Sequence, residues 1–262
     1  MIEIIFENDV MLAVNKPSGL LTQAVREVDS LESRVKLYLW NKLNESVNSN
    51  SNSNCNSNSN NTNTNTNTNT DIDISSVYLG IPHRLDRPVS GVILFGKNSR
   101  AANRLSRQFE KRQINKIYWA VVSGDVENSS GTWIDYMRKI PNRPVAEIVE
   151  PIIQDAKVAI LHYRVLKKFE FSGQLFSLLE IKLETGRMHQ IRLQAAAHGH
   201  PILGDATYGA TLSFGENFND ERNREIALHA RSISFIEPIT QQQINLQAPI
   251  PNLWDKLKIE IL

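Results

Sequence analysis

Leu179, Ile181 and Leu183 alternate with Glu180, Lys182 and Glu184. That period of two marks a strand with one face in a core and the other toward water. Residues 161–169 have the same β character, and the two segments predict a hairpin. Residues 2–14 predict strand, turn, strand, with Glu7, Asn8 and Asp9 as the turn. The apolar runs 92–96 and 117–122 predict two more strands. Helical spacing is found at 31–43 and again at about 189–198, where Gly199 and then Pro201 stop it. Between them, 138–156 reads as a polar, proline-containing excursion. Strands dominate, helices are interspersed, and regular βαβ units are absent. The pattern predicts an α+β fold on a mainly antiparallel or mixed sheet.

One stretch has no pattern of burial at all. Residues 48–70 hold 12 Asn, five Ser, five Thr and one Cys in near-strict alternation. Such a tract offers no apolar face to offset the entropy of ordering, so a disordered insertion is expected. The remainder predicts a single domain over 1–262, starting at its first strands with no auxiliary domain ahead of it.

Asp9 and Lys16 interrupt the apolar N-terminus, and no run reaches the roughly 18–20 apolar residues of a membrane span. A single cysteine, Cys55, excludes an internal disulfide and a multi-cysteine zinc site. A cytoplasmic monomer with no membrane association is the expectation. The net charge of +1 hides a local excess. Residues 97–116 carry seven basic side chains against Glu110 alone, a local +6 that leaves −5 for the rest. Within it Arg100, Arg104, Arg107 and Lys111 fall within about 60° of one another on a helix, opposite Ala102, Leu105 and Phe109. A stripe of one sign is expected to face phosphates.

The densest chemistry lies in Ile81-Pro-His-Arg-Leu-Asp-Arg-Pro-Val-Ser-Gly91. Asp86 stands between Arg84 and Arg87, and Pro88 and Gly91 then turn the chain into an apolar run. A carboxylate fixed in a cationic surround can serve as nucleophile or general base. The same residues could also form an Arg–Asp pair that only pins a turn.

Three further segments accompany it: Asn15-Lys-Pro-Ser-Gly-Leu-Leu21, Asn115-Lys-Ile-Tyr-Trp-Ala-Val-Val-Ser-Gly124, and Glu184-Thr-Gly-Arg-Met-His-Gln-Ile-Arg-Leu-Gln194 with His198-Gly-His-Pro-Ile-Leu-Gly-Asp-Ala-Thr-Tyr-Gly209. Together, in this order, they resemble the RNA pseudouridine synthases of the RluA type, from about Ile5 to Leu228. The resemblance implies a long bent sheet with flanking helices and a central catalytic cleft. It implies isomerisation of uridine to pseudouridine in ribosomal or transfer RNA, which conserves atoms and redox state and needs no cofactor. Asp86 then matches the catalytic aspartate, Tyr118 the tyrosine that stacks on the uracil, and Arg192 the basic residue paired with that aspartate. Arg84 matches an arginine contacting RNA around the displaced base, and Leu228 a position lining the uracil pocket. His83, Arg87, Arg187 and His189, beside these positions, are further candidate RNA contacts, as are the four stripe residues. Val89 and Met188 stand where the family usually has Thr, and Thr or Ser; neither carries chemistry.

Two rival readings remain. One is a non-catalytic RNA-binding or RNA-chaperone module, which the intact Asp86, Tyr118 and Arg192 set disfavours. The other is a metal hydrolase built on His198, His200 and Asp205, although Gly199 and Pro201 already explain that segment as a helix stop. No metal is expected.

Overall fold

The computed structural model describes residues 2–25, 28–51, 73–216 and 224–259. Among these residues ten strands form one sheet: β1 (Glu3–Glu7), β2 (Met11–Lys16), β3 (Ser90–Gly96), β4 (Asn115–Ser123), β5 (Ser130–Lys139), β6 (Ala146–Ile148), β7 (Lys157–Phe171), β8 (Gln174–Leu183), β9 (Leu228–Ile236) and β10 (Gln243–Gln247). Their order is β1-β2-β3-β9-β4-β8-β7-β5-β6, with β10 added to β9. Three α-helices accompany them among the described residues: α1 (Leu31–Ser51), α2 (Ser99–Glu110) and α3 (Gln190–Ala197).

Side-chain alternation sorts the apolar residues onto the two faces. Leu12, Val14, Ile93, Phe95, Tyr118 and Ala120 share one cluster, joined by α1 and α3 through Leu31, Val35, Ile191 and Ala195. The intervening Met11, Ala13, Val92 and Leu94 meet Leu105 of α2 and Phe235 of β9 on the other face. Both faces are covered at the centre, so β3 is buried at every position and reads as a continuous apolar run.

The β1–β2 turn forms where expected. Asn8 accepts from the backbone N–H groups of Val10 and Met11 at 3.0 and 2.9 Å. The β7–β8 hairpin is longer than its apolar core, and α2 buries Ala101, Ala102 and Leu105 behind the Asn98 N-cap. Two elements differ from expectation. The excursion at 138–156 contains the end of β5 and the short β6, which pair as a hairpin. α1 runs eight residues beyond Leu43, through Ser51, so residues 48–51 of the polar tract are helical, contrary to the disorder expected there. Residues 52–70 of that tract lie outside the described residues.

All pairings between the described strands are antiparallel except β3 with β9, a two-residue parallel contact at Ser90–His229 and Gly91–Ala230. This junction joins a three-stranded N-terminal ribbon to the rest of the sheet. Gly91, at φ +118°, makes it possible, since a Cβ there would lie 2.3 Å from the Ala230 carbonyl oxygen. Asp86 sits on the turn that leads into this junction.

Candidate active site

The Asp86 turn is held by the segment just after β2. Thr22 Oγ1 donates to the Leu85 carbonyl at 2.8 Å, Ser18 Oγ to the Pro88 carbonyl at 2.6 Å, and the Gly19 N–H to the Arg87 carbonyl at 2.9 Å. Lys16 is fully buried, and its ammonium donates to the carbonyls of Pro17, Leu20 and Arg87 at 2.9, 2.7 and 3.0 Å. Burial pushes its pKa down to about 7 against the opposing pull of the Asp86 carboxylate. Arg87 completes the clamp by donating from Nε to the Gly19 carbonyl at 2.9 Å. Three backbone carbonyls beside one carboxylate are thus satisfied from a single segment, and the turn is rigid for that reason.

Two basic side chains converge on the same oxygen of Asp86. Arg192 Nη1 lies 3.6 Å from Oδ2, and His189 Nε2 lies 3.7 Å from it. Arg192 is itself fixed from behind. Its Nε and Nη2 donate to the two carboxylate oxygens of Asp205 at 2.6 and 2.8 Å, and Asp205 is 1 % exposed. Burial works against the guanidinium charge, but the fork of hydrogen bonds from Asp205 outweighs it and raises the pKa. Burial, then Arg192, lower the pKa of His189, against Asp86 and Asp205, so its imidazole is neutral at pH 7.

Tyr118, on β4, packs between its register partners Ile181 and Ala230. Burial and then the Asp86 carboxylate raise the pKa of its phenol, which keeps its proton at neutral pH. Leu228 on β9 is buried opposite Ala120 and lines the same cleft. The cleft holds about 1090 Å³ and is lined by Asp86, Tyr118, Arg192, Leu228, His189 and Ile191 among others. That is room for a nucleotide.

The remaining candidates separate. Arg84 is exposed at the cleft mouth, where it donates to Gln23 Oε1 at 3.3 Å, and Arg187 lines the cleft while donating to the Val158 carbonyl at 3.0 Å. His83 lines the cleft as well, and it is also engaged with the sheet. Its Nε2 accepts from the Leu94 N–H at 2.9 Å, its ring stacks on Phe109, and burial with Lys116 nearby pushes its pKa down to about 3. It is a neutral ring committed to the β3 edge. Arg87 serves the turn clamp rather than the cleft. Arg100, Arg104, Arg107 and Lys111 do not line the cleft, and Arg104 donates to the Pro238 carbonyl.

Besides the candidates already placed there, Arg112, Lys116, Lys139 and Lys182 reach the cleft. A second groove of about 410 Å³, lined by Arg138, Lys139, Lys157 and Arg187 against Asp155, continues from it along β5 and β6. Of these, Arg187 is a candidate by sequence, and Arg112 and Lys116 belong to the basic excess at 97–116; the others do not stand out in the sequence. Together they come from four separate segments, and no local spacing links them. Asp205, a candidate metal ligand by sequence, is taken by Arg192, while His198 meets Asp135 at 3.1 Å and His200 meets the Ser123 carbonyl at 2.9 Å. Among the described residues no group of three His, Cys, Asp or Glu is placed to hold a metal, and no helix is long and apolar enough to cross a membrane.

Comparison with known proteins agrees with this geometry. A sequence profile described as RNA pseudouridylate synthase matches residues 10–197. The tRNA pseudouridine synthase C of Vibrio vulnificus is 28 % identical over 267 residues, covering 98 % of this chain and 94 % of the relative. The dual-specificity RNA pseudouridine synthase RluA of the same organism is 32 % identical over 240 residues, covering 90 % and 78 %. Among solved structures, human RNA pseudouridylate synthase domain containing 1 and 4 each superpose with a TM-score of 0.68 at 21 % identity, over 98 % and 99 % of this chain and 86 % and 94 % of theirs. At that identity the human proteins speak for the fold.

Proposed function

Because this chain belongs to the RNA pseudouridylate synthase family and isomerises uridine to pseudouridine in RNA, we propose that Asp86 is its catalytic carboxylate. What supports this is the convergence of His189 and Arg192 on its carboxylate, above a floor made by Tyr118 and Leu228.

The reaction breaks the bond from N1 of uracil to C1′ of the ribose, turns the base, and joins C5 to C1′. The C5 proton leaves and a proton returns to N1, so nothing is oxidised or reduced. A carboxylate beside the ribose can open the glycosidic bond by adding to C1′ or by taking the C2′ proton to give a glycal. Both routes need an ionised carboxylate close to the sugar ring. Arg192 holds the negative charge in place, and Asp205 prevents Arg192 from swinging away. Tyr118 meets the base as a neutral ring, which suits stacking, with Leu228 beside it on the same sheet face.

To reach this floor a uridine must leave its stack, at a cost of a few kcal/mol. Arg84 at the mouth is positioned to occupy the space the base vacates. Phosphates then follow the basic groove: Arg112, Lys116 and Lys182 on one side, Lys139, Arg187 and Lys157 on the other. This path replaces the α2 stripe as the principal RNA track. The substrate is structured RNA, and transfer RNA is the first to test, because a relative matching over nearly its full length carries that substrate in its name.

The test is Asp86→Asn, which is nearly isosteric and deletes only the charge. Purified variant and parent are assayed for pseudouridine formation on transfer RNA and ribosomal RNA from cells lacking the gene. Turnover should vanish while melting temperature and RNA affinity stay close to the parent's. Near-parental turnover would remove Asp86 from the mechanism.

A further inference from the structure

Behind His189 lies Tyr208, on the 3₁₀ turn Ala206–Tyr208, which also follows Asp205. Its phenol oxygen accepts from the backbone N–H of Ala146, on β6, at 3.1 Å. The same oxygen lies 2.9 Å from Nδ1 of His189. A phenol has a single hydrogen to give. The Ala146 N–H occupies one acceptor position of that oxygen and leaves the phenol hydrogen available to Nδ1. The imidazole is neutral, since burial and Arg192 lower its pKa. A neutral ring that accepts at Nδ1 must carry its hydrogen on Nε2, and Nε2 is the atom 3.7 Å from Asp86 Oδ2.

Three other observations indicate that this orientation is built in. His189 has left-handed backbone at φ 52°, uncommon for a residue other than glycine and a conformation the surroundings must impose. Tyr208 meets the imidazole edge to face at 86° and lies under the Arg192 guanidinium at 5.2 Å. It thus touches both groups that converge on Oδ2. The charged groups facing the imidazole are Asp86, Arg192 and Asp205. Asp86 is held by its turn, and Arg192 and Asp205 hold each other.

We propose that Tyr208 is a positioning residue for the isomerisation: through His189 it directs an Nε2–H at Oδ2 of Asp86, which helps Arg192 hold that carboxylate in place. The proposal rests on Asp86 being the catalytic carboxylate. Tyr208 touches no substrate atom itself. Without its hydroxyl, His189 is free to place its hydrogen on Nδ1 and present a lone pair to the carboxylate, which repels it.

A double-variant cycle tests this on the full chain, with unmodified transfer RNA and ribosomal RNA from cells lacking the gene as substrate. Tyr208→Phe should lower kcat on the order of 10-fold, as a slightly misaligned group does, and leave KM unchanged. His189→Gln should lower kcat by a similar factor. The double variant Tyr208→Phe/His189→Gln should be no slower than His189→Gln alone, because the phenol acts only through the imidazole. Parental kcat in Tyr208→Phe, or losses that multiply in the double variant, would overturn the proposal. Removing the acceptor of the Ala146 N–H could also loosen β6. That change would lower the melting temperature equally with and without His189, whereas the catalytic effect should depend on His189. Failure of the Asp86 assignment is separate, since it would show as turnover in Asp86→Asn.

Discussion

Two sets of cations meet in this molecule, and they are built on opposite terms. Arg192 is buried, forked onto Asp205, stacked over Tyr208 and aimed at Asp86. Lys139 and Lys157, in the groove along β5 and β6, are exposed and form no ion pair among the described residues. A guanidinium whose hydrogen bonds are already committed cannot adapt to an incoming phosphate, but it can hold a carboxylate still. A solvated ammonium does the reverse. It gives up little on meeting a phosphate and releases the counterions around the RNA. Burial with full pairing therefore marks the groups that orient, and exposure without pairing marks the groups that bind.

The largest effect should come from breaking the buried set. Asp205→Asn leaves the enclosed Arg192 guanidinium without its forked partner, with only the Asp86 carboxylate at 3.6 Å to face its charge. Removing one partner of a buried pair costs about 3–5 kcal/mol. Denaturant titration should show that loss, and turnover should fall with it because Arg192 no longer has a fixed position beside Asp86. A variant of parental stability would mean that the pair is not what fixes Arg192.

A second paired group gives a smaller and pH-dependent effect. Glu7 on β1 accepts from Lys42 and Tyr38 of α1 at 2.8 Å each and from Lys97, just after β3, at 2.9 Å. Burial opposes its charge, but these bonds outweigh it and hold the carboxyl at about 2, below its ordinary 4.5. The folded pKa is depressed, so the unfolded chain takes up the proton first. The contribution is complete above about pH 4.5 and is lost as the pH falls toward 2. By linkage it amounts to no more than about 2–3 kcal/mol. Glu7→Gln should remove that amount at pH 7 and flatten stability against pH in this window. An unchanged acid limb in the variant would show that other carboxylates set it.

Sequence patterning reveals these elements unevenly, for physical reasons. β8 and β3 are legible because burial on one face or on both leaves a clean signature. β5 is not, since Ile134 and Tyr136 stand on its exposed face and blur the alternation, and β6 has only three residues. In the site, Asp86 is visible because its charges are local. The roles of Tyr208 and Asp205 are hidden because their partners lie 19 and 13 residues away, in a geometry that α3 and the 3₁₀ turn create together. The tie of His83 to the sheet is hidden for the same reason: the Leu94 N–H it accepts from lies 11 residues on. The α2 stripe does lie on one helix face, but a helix pattern carries no information on which side of the molecule that face lies.

The subtlest test sets the groove directly against that stripe. Lys139→Gln with Lys157→Gln should weaken RNA binding and lower the dependence of log affinity on log salt, by roughly 0.7–0.9 for each phosphate no longer neutralised. KM should rise, and kcat at saturating RNA should not change, because neither side chain touches Asp86 or its partners. Arg100→Gln with Arg107→Gln removes the same charge from exposed positions on α2 that do not line the cleft. If the RNA follows the groove, this second pair should change the salt slope by less than half as much. Equal removal of charge in both variants takes any general electrostatic attraction out of the comparison. What remains is direct engagement of the phosphates. Equal slopes would place RNA on both surfaces, and a larger change in the α2 variant would put the phosphate track on the helix, with the groove left to the solvent.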